Sequence, residues 1–104
     1  MAGFKSSFSK GIGTASVSAF TAASVTTLIG ASLANVASVE IKASITITRG
    51  STVVYIIKDV RIPVGSTFVP VGGDQKIVLQ QGDIVKVTSD TATSVDAIFS
   101  YLES

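Results

Sequence analysis

A chain of 104 residues has room for one domain, and its 14% charged side chains fall well short of the roughly 25% that covers an average soluble domain. Eight basic and seven acidic residues leave a net charge of +1, too weak a field to steer the chain to nucleic acid or an anionic membrane. His, Cys and Trp are absent, which removes disulfides, thiolate chemistry, the commonest metal ligand and the usual general base. Stability must come from packing and backbone hydrogen bonds. With no disulfide to mark an oxidising compartment, and no compact apolar run with a cleavage site at the N-terminus, synthesis in the cytoplasm is the expectation.

Residues 1–13, MAGFKSSFSKGIG, are rich in Gly, Ser and Lys and read as an extended arm outside the core, with residues 14–104 forming the domain. Lys5 and Lys10 precede the first acid, Glu40, so any arm is basic. Phe4, Phe8 and Ile12 recur every fourth residue, and ordering so glycine-rich a segment costs roughly 1–2 kcal/mol of backbone entropy per residue. Burial on a neighbouring chain is therefore expected to hold it, with Phe4 and Phe8 as anchors and Lys5, Lys10 and Ile12 beside them as partner contacts. Residues 11–39 carry no charge, but nine of these 29 are Ser or Thr, a composition that does not favour insertion as a transmembrane helix.

From Thr14 onward Val, Ile, Thr, Ser and Ala dominate, and strands are expected at the short spacing of sandwiches and barrels. Residues 14–21 and 25–36 read as the first two, the second bent or bulged at Gly30. In residues 39–48 the set Val39, Ile41, Ala43, Ile45 and Ile47 alternates with Glu40, Lys42, Ser44, Thr46 and Thr48, a half-buried strand with the first set inward. A turn at Arg49-Gly50-Ser51 leads into residues 52–58, TVVYIIK, apolar on both faces and hence expected to be central or covered on its outer side. Turns at Pro63-Val64-Gly65-Ser66, Gly72-Gly73-Asp74, Gln81-Gly82-Asp83 and residues 90–94 separate strands at 67–71, 76–79, 84–89 and 95–102. In the last, Val95, Ala97, Phe99 and Tyr101 oppose Asp96, Ile98, Ser100 and Leu102. Seven or eight strands without helical periodicity make an all-β fold, an antiparallel β-sandwich of jelly-roll or immunoglobulin type; a closed barrel is the competing geometry.

No catalytic, cofactor or metal site is expected. The acids are at least six positions apart, unlike the clustered oxygens of a calcium loop, and Gly72-Gly73 lacks the rest of a phosphate-binding fingerprint. Asp74 and Asp83, each after a glycine in a turn, read as caps of backbone N–H groups. Tyr55 and Tyr101 are expected to pack in the core or an interface rather than to stack on bases.

Five segments carry a resemblance that covers nearly the whole chain: the opening MAGFKSSFSKGIGTA, the ANV before the long alternating strand, YIIKDVRIPVGST, GGDQKIVLQQGD, and the terminal VDAIFSYLE. Together they resemble a family of small virion structural proteins of tailed phages that infect cyanobacteria. The resemblance implies a non-enzymatic, multi-copy component of the virion, assembled in the host cytoplasm, with a sandwich body and an arm docked on neighbours. The leading expectation is a capsid decoration or cement protein that contacts the major capsid protein and forms a homo-oligomer. A neck or tail adaptor or fibre-attachment subunit is the alternative, and a glycan-binding adsorption module a second. No nucleic acid or membrane partner is expected.

Overall fold

A computed structural model describes residues 3–72 and 76–104. Among these residues there are nine strands and no helix: β1 (Gly3–Ile12), β2 (Val17–Thr21), β3 (Thr26–Asn35), β4 (Ile41–Arg49), β5 (Thr52–Ile62), β6 (Thr67–Val71), β7 (Ile77–Leu79), β8 (Ile84–Ser89) and β9 (Val95–Glu103). They build two antiparallel sheets, one ordered β1-β9-β3-β6 with β7 also on β3, the other ordered β2-β8-β4-β5.

The topology follows from one long hairpin. Arg49 pairs with Thr52 across the two-residue turn Gly50-Ser51, where Gly50 takes the left-handed φ of 61° that favours glycine. From that tip the chain pairs with itself outward: β4 with β5, β3 with β6 and β7, β2 with β8, and β1 with β9. Rolling this ribbon brings β9 beside β3 and β8 beside β4. The result is the jelly-roll form of the expected sandwich.

The inner faces supply one core. Leu28, Leu33, Val95 and Phe99 of the first sheet meet Ile41, Ile45, Val85 and Val87 of the second, all shut off from solvent. The alternation read from residues 39–48 holds from Ile41, with Ala43 and Ile45 buried and Lys42 exposed. Val39 departs from it and is exposed, because residues 37–40 form a loop before the strand. Asn35 fixes that loop: its side-chain amide donates to the carbonyls of Val39 and Ile62, each at 2.9 Å, and its oxygen accepts from the N–H of Ala37 at 2.8 Å. The bend expected at Gly30 is a register shift between Leu28 and Gly30 against β9. TVVYIIK runs on to Ile62 and lies at a sheet edge rather than centrally, with Val53, Val54 and Tyr55 exposed.

The largest departure is at the N-terminus. Residues 3–12 do not lie apart from the domain: β1 pairs with β9 from Gly3 opposite Glu103 to Ile12 opposite Val95, and the Ile12 side chain is buried in the core. The physical reason is β9, whose outer row of N–H and C=O groups needs a partner, and β1 supplies one without leaving the chain. Backbone hydrogen bonds thus meet much of the ordering cost that argued for an external partner. Removal of residues 2–13 is accordingly expected to destabilise the domain. Ile12→Ala alone should cost about 2–5 kcal/mol, read as a lower denaturant midpoint at unchanged m-value.

Candidate functional site

Along β1 the usual arrangement of an edge strand is inverted. Lys5, Ser7 and Ser9 stand opposite Tyr101, Phe99 and Ala97, the inward set of β9, whereas Phe4, Ser6, Phe8 and Lys10 point out. Phe4 is 78% and Phe8 76% exposed, the two most exposed large apolar side chains of the described residues. Small inward residues let β1 lie close to the neighbouring sheet, and the Ser7 hydroxyl donates to the carbonyl of Ala19 in β2 at 2.6 Å. Strand pairing fixes what surrounds the phenylalanines: Phe4 is opposite Leu102, Ser6 opposite Ser100, and Phe8 opposite Ile98. Ile98 is itself 47% exposed. Phe8, Ile98, Lys10 and Asp96 border a shallow groove of about 250 Å³.

The five sequence-predicted contact residues therefore divide. Phe4, Phe8 and Lys10 share the outer face; Lys5 is turned to its own chain, where its Nζ lies 2.7 Å from the Glu103 carboxylate, and Ile12 is in the core. The hydrogen bond to Glu103, and then its charge, raise the Lys5 pKa. The sequence did not reveal that Ile98 and Leu102 of β9 complete the patch, since strand pairing between the two ends of the chain leaves no local signal.

The outer face of the second sheet has a different character. Ser44, Thr46, Thr48, Lys86 and Thr88 line a groove of about 430 Å³ with Tyr55, Val53 and Asp59 at its edge. Asp59 occupies a bulge in β5 with φ 50°, its N–H donating to the Ser44 hydroxyl at 2.9 Å. Tyr55 does not enter the core: it is half exposed, with Lys58 Nζ 5.2 Å from its ring centroid, a cation–π distance. Tyr101 does pack, stacked on Phe20 at 4.2 Å.

Asp83 is buried and caps its turn as expected, accepting from the Gln80 N–H at 2.8 Å; Asp74 lies outside the described residues. An unexpected partner is Arg49, whose Nε and Nη2 donate to the two Asp83 oxygens at 2.8 and 2.7 Å. This fork ties the tip of the β4–β5 hairpin to the turn before β8. No three His, Cys, Asp or Glu side chains gather as a metal site among the described residues. No helix of these residues is long and apolar enough to cross a membrane. No family model matches the chain, and no curated protein matches it.

Hydrogen bonding from Arg49, together with the Gln80 N–H, outweighs burial and holds the Asp83 carboxyl below the ordinary aspartate value of 3.8. A depressed carboxylate stabilises the fold above its unfolded pKa, and that contribution is lost as pH falls through the folded one. The stability difference between the natural chain and Asp83→Asn should therefore be full at neutral pH and shrink as the solution is acidified below 3.8. Denaturant midpoints measured across that range check it.

Proposed function

We propose that this chain is a non-enzymatic structural protein of a tailed-phage virion, a decoration or cement protein of the capsid, attached through the outer face of β1. The observation that carries the reading is the outward placement of Phe4 and Phe8, beside Ile98 on the paired strand. Full burial of a phenylalanine contributes on the order of 1.5–3 kcal/mol, and a strand that turns both of its phenylalanines to water leaves that contribution for a partner. The resemblance of the opening, central and terminal segments supports the virion setting. Jelly rolls serve viral capsids and lectins alike, so the fold does not choose between docking and sugar binding; the apolar patch favours docking. A sugar site would rely on the Tyr55 ring, which Lys58 already approaches.

The attachment differs from the arm first expected. Instead of an extended tail, a rigid strand presents the anchors, so little ordering entropy remains to oppose binding. A neck or tail position would use the same face in a ring.

The test is reconstitution on particles that lack the protein. The natural chain should bind, filling a lattice if it decorates the capsid and a single ring if it serves the neck or tail. The double variant Phe4→Ala/Phe8→Ala should stay folded, each cross-strand pair with β9 contributing only about 0.2–1 kcal/mol, yet should bind poorly. Equal binding by the variant would move the attachment away from β1; no binding by the natural chain would overturn the virion reading.

A further inference from the structure

The free edge of β1 fits a second copy of itself. Edge strands are ordinarily protected from pairing by bulges, proline, charge or shortness, and the other edges among the described residues show such devices: β2 shifts register between Ser18 and Phe20, β5 bulges at Asp59, β6 contains Pro70, and β7 is only three residues long. In β1 the register is regular from Gly3 to Ser9 and breaks only beyond it, near Gly11. Lys5, on the inward row by register but with an exposed side chain, is ion-paired with Glu103 of the same chain.

We propose that two copies join edge to edge through β1, antiparallel about a two-fold axis perpendicular to the sheet at Ser6, making one continuous sheet across the pair. This rests on the outer face of β1 being the docking surface, and names a second copy as a partner of that surface. The sequence around Ser6 is self-complementary in this register. Phe4 of each copy meets Phe8 of the other, and Ser6 meets Ser6. Extending each row through the observed pairing with β9 gives Leu102, Phe4, the second copy's Phe8 and its Ile98, then the same row reversed on the far side of the axis. Between them runs a row of Ser100, Ser6 and their counterparts. Neighbouring registers do worse. Centring on Lys5 places two like charges directly opposite each other, which is unfavourable. Centring on Ser7 sets Phe4 against Lys10 and Phe8 against Ser6. An isologous interface of this kind closes as a dimer and does not propagate along the edge.

The chain has no cysteine, so an introduced thiol reports on itself alone. Across an antiparallel pair the Cβ atoms of Ser6 and its counterpart lie about 4.5–5.5 Å apart, close to what a disulfide spans. Lys10 is exposed on the same face but four residues from the axis, which puts it about 26 Å from its counterpart at roughly 3.3 Å per residue. Under mild oxidation of the full-length chain, Ser6→Cys should become a disulfide-linked dimer much faster than Lys10→Cys, and the natural chain should sediment as a concentration-dependent dimer. Equal rates for the two variants, or a natural chain that stays monomeric at every concentration, would overturn the inference. Loss of particle binding by the phenylalanine variant alongside a monomeric natural chain would leave the docking reading standing and remove only the dimer; a dimer that never binds particles would do the reverse.

Discussion

Antiparallel pairing of the first strand with the last is the constraint on which the rest of this molecule depends. β9 lies between β1 and β3, so it receives hydrogen bonds on both sides and carries Val95, Ala97 and Phe99 into the centre of the core. The Phe99 ring also lies 6.1 Å from that of Phe20 in β2, across the gap between the sheets. Without β1, β9 would become an edge and Ile12 would leave the core. The same pairing places Phe4 and Phe8 on a firm surface beside Ile98 and Leu102. Because these contacts join opposite ends of the chain, they form only after a large loop closes, which makes slow folding the expectation for such a topology.

Much of this architecture is legible in the sequence because side-chain alternation and turn chemistry are local. The run from Ile41 to Ile47 shows its inner face directly, Gly50 marks the hairpin tip, and Gly30 marks the irregularity in β3. Features set by distant partners are not legible. Val39 continues the alternation on paper, yet Asn35 draws its carbonyl into a loop. Nothing local to Arg49 or Asp83 announces their fork, which closes across 34 positions of sequence. The N-terminal segment is the most instructive case. Its glycines, serines and lysines give no sign that it belongs to the domain, but composition reports side chains, and here the backbone joins the sheet while Phe4 and Phe8 face out and Ile12 alone enters the core. From Lys5 to Ser9 the inward row is Lys5, Ser7 and Ser9, which has no hydrophobic signature on the side that matters.

The two outer faces also account for the low charge of the chain. One sheet presents serines, threonines and Lys86 in a shallow polar groove, where hydroxyls do the solvating work usually left to Lys and Glu. The other presents Phe4, Phe8 and Ile98, a face suited to being covered. The apolar patch left open to water on this face is the feature on which the proposed docking rests.

Amide hydrogen exchange of the isolated chain at low concentration tests the central claim most directly. An edge strand bonds alternate amides to its neighbour and turns the others outward. Residues 3–12 should therefore show alternating protection, with the protected amides opening together with those of β9. Fast exchange at every amide from Gly3 to Ile12, with β9 still protected, would mean that the segment is a free arm and would contradict the account.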